Sequence, residues 1–386
     1  MLICGFLWHL ACLLCSLVVT EKNMLNKQNK IHIVQIIPTL GFGGAERLVV
    51  DLANQLVEDN FTCSIITFFD NVPLASQLDK RVKLILVEKK KKLSFGLIKD
   101  LVNTLQSIGA DIVHTHLFGA DFWGSMAAKK LGLPVIATEH SLCKNESFLK
   151  NKLKHCNKKN IDKFVSVSEI VKQDLQKCLR IVKEKVVVIN PGIDLSKFLS
   201  IPNKKVTGQI NFLLLGRLEK EKNFALALEA LSKHQDKNWH CRIVGKGSFT
   251  NDLKSLVDRL GMKDKIEFVS FTFDVVSEYN KTDVLLLPSL YEGFGLVALE
   301  AMTSARVIIS TQVGILPEVI VDKKNGILCA DNSLKSFTEC LSWIFDNQEK
   351  LSKLGAEARK SVENKFSLVE MKNKYKQVYL NLLDKS

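Results

Sequence analysis

The stretch from Val284 to Met302, VLLLPSLYEGFGLVALEAM, leaves this chain few architectures to choose from. An apolar run, Val284–Leu287, stops at Pro288 and Ser289. A loop with Glu292, Gly293, Phe294 and Gly295 follows, and apolar residues then recur at helical spacing through Leu296, Leu299 and Met302. That order reads as buried strand, glycine loop, helix. Glycine lets a backbone approach a ligand closely, and the first turn of a helix offers unpaired N–H groups to an anion. Glu292 and Glu300, eight positions apart, would stand on one side of the element, about 12 Å apart along a helix axis. Such a span suits an extended ligand with a phosphate in its middle. The plain alternative is a scaffold unit in which Glu292 only complements a helix dipole. Glu300 resists that account, because a carboxylate on an apolar face needs a partner.

The same alternation runs through the rest of the chain. Strands are expected at 31–37, 64–69, 83–87, 112–114, 135–138, 164–167 and 186–189, with helical patterns between most of them. The pattern restarts after Pro202, with strands at 211–215, 240–244, 265–269, 284–287, 307–310 and 326–328. Strands alternating with helices imply parallel, doubly wound sheets. With 386 residues the chain is too long for one core and suits two domains. The expected class is α/β, two Rossmann-like domains facing across a cleft, joined near 195–208. The expected boundaries are an apolar leader at 1–23, a first domain at 24–200, a second at 201–365 and a final helix at 366–386. In such sheets ligands sit at the carboxyl ends of the strands, so the cleft is the expected site.

The net charge is +13. Residues 21–200 carry 27 Lys and Arg against 18 Asp and Glu; residues 201–386 carry 27 against 23. Runs at Lys89–Lys92 and at Lys150, Lys152, Lys154, Lys158 and Lys159 would suit an anionic membrane surface or a diphosphate-bearing acceptor. No zinc spacing, RNP motif or basic zipper points to nucleic acid. The ten cysteines are dispersed and read as reduced core residues; Cys12 and Cys15 lie in a greasy segment unsuited to a metal. Met1–Thr20 has no Lys, Arg, Asp or Glu. It reads as a single anchor, with Lys22, Lys27 and Lys30 keeping the body in the cytoplasm, or as translation upstream of a start at Met24; a cleaved signal fits less well.

A second motif, Gly216-Arg217-Leu218-Glu219-Lys220-Glu221-Lys222-Asn223, leaves another strand end. Arg217 can grip two phosphate oxygens, and Lys222 adds a point charge. Gly245-Lys246-Gly247 repeats the loop logic. With Glu292 to Glu300 as E-x7-E, Thr311 to Ile320, Asn190 to Asp194 and the glycine loop Gly41 to Glu46, the chain resembles family 4 glycosyltransferases of the GT-B fold from Ile31 onward. The resemblance implies retaining transfer from a nucleotide diphosphate sugar, without an obligatory metal or other cofactor. It implies that Gly216, Arg217 and Lys222 hold the diphosphate and that Glu300 binds the ribose. Glu292 would lie at the donor sugar and reacting carbon, and the backbone of Phe294, Gly295, Leu296 and Val297 would cap the phosphates. In Asp111-Ile-Val-His-Thr-His116, the second histidine of the family element points into the cleft; His116 is therefore the expected second catalytic group and His114 a core residue. His140 ranks below it, and the Gly43–Gly44 backbone would approach donor or acceptor.

The chain departs from the family pattern at Ala305 and Val307, where glycine and proline are usual, at Ile315, and at Val269-Ser270-Phe271. These positions shape the base and sugar pockets rather than the phosphate contacts. The expected activity is therefore a hexosyltransferase that moves a sugar, from UDP in the first instance, to a lipid-linked glycan or surface polysaccharide, as in lipopolysaccharide synthesis. It would work at the cytoplasmic face of a membrane, anchored or peripheral, with no nucleic-acid partner. The rivals are a sugar-nucleotide epimerase on the same fold and a non-catalytic, membrane-tethered binding protein.

Overall fold

The computed structural model describes residues 30–384 apart from residues 60, 90–94, 144, 145 and 364. The leader, Lys22, Lys27, the Cys12–Cys15 pair and Lys90–Lys92 lie outside the described residues. Among those described, no helix is long and apolar enough to cross a membrane.

The first lobe carries strands β1 (Ile31–Ile36), β2 (Phe61–Thr67), β3 (Lys83–Leu86), β4 (Ile112–His116), β5 (Val135–Glu139), β6 (Lys163–Ser166) and β7 (Val186–Val188). Their helices are α1 (Gly44–Leu56), α2 (Phe95–Ser107), α3 (Leu117–Lys130), α4 (Phe148–Asn157) and α5 (Glu169–Leu179). The second lobe carries β8 (Ile210–Leu215), β9 (Trp239–Val244), β10 (Ile266–Val269), β11 (Val284–Leu287), β12 (Val307–Ser310) and β13 (Ile327–Leu328). A short helix, α6 (Leu195–Leu199), precedes it. The second lobe's helices are α7 (Phe224–Leu231), α8 (Thr250–Arg259), α9 (Val275–Lys281), α10 (Leu296–Thr303), α11 (Leu316–Val319), α12 (Leu334–Asp346) and α13 (Leu351–Val362), and α14 (Leu368–Leu383) ends the chain.

The sheet orders are β3-β2-β1-β4-β5-β6-β7 and β10-β9-β8-β11-β12-β13. Every strand pairing is parallel. The two doubly wound sheets expected from the sequence are present, and the uninterrupted apolar runs are strands covered on both faces, as β11 and β12 show residue by residue. Each sheet reverses its winding beside its first strand, so the crevices open at the carboxyl ends of β1, β4, β8 and β11. Those ends lead into Gly41–Gly44, His116, Gly216 and Pro288–Gly295.

The chain passes between the lobes twice. Ile193 N–H donates to the Phe366 carbonyl at 2.9 Å, and Leu368 N–H donates to the Ile193 carbonyl at 3.3 Å. Helix α14 then returns to the first lobe and buries Tyr375 and Tyr379 there. Lys372 and Lys376 each meet Asp59 at 3.1 Å. Cys63, Cys143, Cys241 and Cys329 are buried free thiols, as read from the sequence, whereas Cys156 and Cys178 are exposed. Ala305, where the family favours glycine, adopts φ 54°. A Cβ in the left-handed region costs about 1–2 kcal/mol, partly offset by the greater unfolded-state entropy of glycine. Ala305→Gly is therefore expected to raise stability by about 0.5–1 kcal/mol in denaturant titrations.

Candidate active site

Between the lobes lies a cleft of about 760 Å³. Helix α1 opens at Gly44 on one side and α10 opens at Leu296 on the other, and a Cβ on Gly44 would lie 3.8 Å from Leu296 Cδ1. Two helix amino ends, with their unpaired N–H groups, thus converge on one space. Gly295 caps α10 with φ 107°, which leaves its first N–H groups open to a ligand. Gly216 and Arg217, at the end of β8, and Gly245 and Lys246, at the end of β9, line the same cleft. The two loops are laid together backbone on backbone: Gly216 N–H donates to Val244 O at 3.1 Å, and a Cβ on Gly245 would meet Gly216 O at 1.9 Å. Arg217 pairs with Glu221 at 2.7 Å, and its guanidinium remains largely exposed.

Glu300 lines the cleft one turn into α10. The Tyr279 hydroxyl reaches Glu300 Oε2 at 2.9 Å and the Val297 carbonyl at 3.0 Å. One hydroxyl proton cannot serve both acceptors, so a protonated Glu300 is accommodated well. Burial, only partly countered by the Tyr279 hydrogen bond and Arg47, raises its carboxyl to about 7. Glu292, by contrast, lies before the helix rather than on it. The spacing argument that put both carboxylates on one helix face fails, because the left-handed Gly295 turns the backbone between them. Glu292 Oε1 instead accepts from Lys222 Nζ at 2.6 Å and from Ser289 Oγ at 2.8 Å. Lys222 and Glu292 neutralise each other beneath Gly216, behind the cleft wall rather than on it. Of the remaining expected residues, Gly43, Gly44, Leu296 and Val297 line the cleft, while Phe294 is buried under it.

His116 is fully buried, and its ring is not at the cleft wall. Its Nε2 lies 3.1 Å from Gln35 Oε1 and its Nδ1 lies 3.1 Å from His140 Nε2. The Gln35 amide is oriented by its Nε2–H, which donates to Val49 O at 3.3 Å. Gln35 Oε1 must therefore accept, His116 must carry its proton on Nε2, and His116 Nδ1 must accept from His140 Nε2–H. The ring nitrogen left with a free lone pair is His140 Nδ1, and like His116 this residue stands behind the cleft wall rather than on it. Burial keeps all three histidines of this cluster neutral: His114 and His140 fall to about 3, and His116 falls well below its ordinary value. His114 is the core residue expected, held by Tyr379 at 2.8 Å and Thr138 at 2.7 Å. If this relay orients His140, Gln35→Leu should lower kcat roughly tenfold with donor affinity unchanged. Gln35→Glu, whose carboxylate favours an imidazolium, should move the acid limb of the pH–rate profile upward. A loss of donor affinity in step with kcat would refute the orienting role.

Several cleft residues were not visible in the sequence. Arg47 Nε donates to Asp51 Oδ2 at 2.7 Å, and Lys197 stands on the same wall, 3.4 Å from Asp194 at the end of the Asn190–Asp194 motif. Spacing alone gives Arg47 and Asp51 as an ordinary helix-surface pair. Phe42 of the first glycine loop packs on Phe271 and Phe273 of the second lobe, with ring centroids 3.7 and 5.8 Å apart. Among the described residues no group of three or more His, Cys, Asp or Glu is placed to hold a metal.

Two facing parallel-sheet lobes with an anion-directed cleft define the GT-B class of glycosyltransferase. Family models match both lobes, "Glycosyltransferase Family 4" over residues 42–197 and "Glycosyl transferases group 1" over 197–361, and the chain belongs to this family. It is 27% identical over 382 residues, 92% of this chain and 97% of the relative, to the UDP-Gal:alpha-D-GlcNAc-diphosphoundecaprenol alpha-1,3-galactosyltransferase of Escherichia coli. It is 28% identical over 297 residues, 73% and 78% of the two chains, to an uncharacterized glycosyltransferase of Methanocaldococcus jannaschii. Among solved structures, Anabaena HepE in complex with UDP and glucose superimposes with a TM-score of 0.81 at 16% identity, covering 91% of this chain and all of that one. A glycosyltransferase from Rickettsia africae gives 0.79 at 24% identity, covering 93% and 100%. Both likenesses bear on the fold.

Proposed function

We propose that this glycosyltransferase moves a hexose from a UDP-sugar, with retention, to a lipid-linked glycan or surface polysaccharide acceptor at the cytoplasmic face of a membrane. The observation that carries the reading is the meeting, in one cleft, of Arg217 and Lys246, the open amino end of α10 and the carboxylate of Glu300 one turn further on. A nucleoside diphosphate fits that order: oxygens on the cationic end, ribose hydroxyls on the carboxylate. As the glycosidic bond breaks, negative charge gathers on the departing diphosphate. Fixed cations and helix N–H groups favour that state over the ground state, so no metal is obligatory. The UDP-sugar donor and lipid diphosphate acceptor named for the E. coli relative, and the UDP bound by the Anabaena neighbour, support the same choice of ligands.

Glu292, released from Lys222 when the phosphates recruit that lysine, is the group assigned to the donor sugar, with the His140–His116 pair in the facing lobe. UDP should raise the melting temperature, because a ligand that binds only the folded state stabilises it by mass action. Arg217→Ala should weaken UDP about tenfold or more. A UDP-indifferent protein, or an Arg217→Ala variant that binds UDP and transfers sugar normally, would discard the assignment.

A further inference from the structure

The aromatic residues of the cleft take no part in the donor contacts assigned above. Helix α9 lies beside α10, joined to it by the Tyr279 hydroxyl on Glu300 and on the Val297 carbonyl. Val275 and Val276, in the first turn of α9, line the cleft, and the segment leading into that helix adds Phe271, Thr272 and Phe273. Along this wall a helix amino end is followed by a carboxylate and then by apolar side chains. A nucleoside diphosphate with its phosphates at α10 and its ribose on Glu300 would bring its base to Phe271 and Phe273. That place is already taken, and by the other lobe. Phe42 lies on Phe271 with ring centroids 3.7 Å apart and planes inclined by 31°. Phe273 stands edge-on to both, 5.0 Å from Phe271 and 5.8 Å from Phe42. No third ring fits between Phe42 and Phe271 at that separation.

Phe42 also has the means to leave. It stands between Gly41 and Gly43, with Gly44 next, so the backbone on both sides turns without the steric limits of a Cβ. It is 40% exposed and Phe273 is 54% exposed, so the cluster is no part of the core and leaves apolar ring surface in water that a flat ligand would cover. We infer that Phe42 is a latch on the base subsite: it stacks on Phe271 while the donor is absent and yields that face to the nucleobase when the donor enters. The inference rests on the donor reading proposed above and adds to it a first-lobe group that competes with the base. Donor binding then exchanges an aromatic contact between the lobes for one between ligand and second lobe. Apparent affinity is lowered by the fraction of molecules in which the latch is shut, and the penalty falls only on ligands that carry a base.

UDP and inorganic pyrophosphate are to be titrated calorimetrically into full-length wild type, Phe42→Ala, Phe42→Leu, Phe271→Ala and the Phe42→Ala, Phe271→Ala double variant. Phe42→Ala should tighten UDP about threefold to tenfold, the range set by the worth of one aromatic pair, and leave pyrophosphate unchanged. Phe42→Leu keeps an apolar side chain on the loop without the ring stack and should shift UDP in the same direction. Phe271→Ala should weaken UDP relative to Phe42→Ala by about tenfold, because the base loses its stacking partner. In that background the added Phe42→Ala should change UDP affinity by less than about twofold, since the latch has lost its seat. UDP affinity unchanged or weakened in both Phe42 variants, or a shift shared equally by pyrophosphate, would overturn the latch and leave the donor reading intact. A wild type that binds neither UDP nor pyrophosphate would discard the donor reading and, with it, the base to which the latch yields.

Discussion

Gly293→Ala is expected to reduce sugar transfer by two to three orders of magnitude while leaving each lobe folded. The reason is one distance. A Cβ on Gly293 would lie 1.7 Å from the carbonyl oxygen of His140, which belongs to the other lobe. Gly293 does not adopt a positive φ, so its own backbone would accept alanine. What excludes the methyl group is the approach of the lobes, reinforced by Ser168 Oγ donating to Gly293 O at 3.3 Å. Relief requires the lobes to part there by more than 1 Å, and misplacement of reacting groups on that scale costs on the order of a hundredfold or more. Near-normal melting with lost kcat, and UDP affinity held by the second lobe alone, is the expected pattern. Full activity would show that the lobes do not close at this contact during turnover.

Glu300→Gln is expected to trade function for stability, with the sign set by pH. The carboxyl is raised from 4.5 to about 7 in the folded protein. Below about pH 4.5 both folded and unfolded states hold the proton, and Glu300 imposes no penalty. As pH rises toward 7 the unfolded chain ionises first, so folding stability falls; above 7 the loss is complete. At 1.36 kcal/mol per unit it amounts to at most about 3 kcal/mol. Glutamine cannot ionise, keeps a carbonyl for the Tyr279 hydroxyl, and should melt higher than wild type at pH 8 but not at pH 4. Donor binding should move the other way. Ribose hydroxyls donate best to an ionised carboxylate, so wild-type affinity for UDP should improve as pH rises through 7, and the variant should bind weakly and without that slope. Equal pH dependence of UDP binding in the two proteins would remove Glu300 from the ribose site.

These expectations draw unequally on sequence and structure. The stretches that became β8 and β11 are legible because a strand covered on both faces is mostly apolar, and Gly216 and Pro288 mark where the chain leaves the sheet. The glycine loops, Arg217 and Glu300 are legible for a related reason: a loop at a strand's carboxyl end is where a doubly wound sheet puts a ligand. What failed was inference from spacing across a break in helical geometry. Glu292 looked like a helix neighbour of Glu300, and only the φ of 107° at Gly295 turns it aside to Lys222. His116 reads from the sequence as a cleft residue, and only the tertiary structure surrounds its ring with Gln35, 81 positions away in the chain, on one nitrogen and His140 on the other.

The amino-acid order by itself determined the two sheets, their punctuation and the loops at which charge is presented, because these follow from local rules of burial, period and turn chemistry. Which side chains meet across the cleft was decided by tertiary structure alone. Phe42 with Phe271, Gly293 against His140 and α14 returning to hold His114 all join residues far apart in sequence, and no local periodicity records a contact made by folding one lobe against the other.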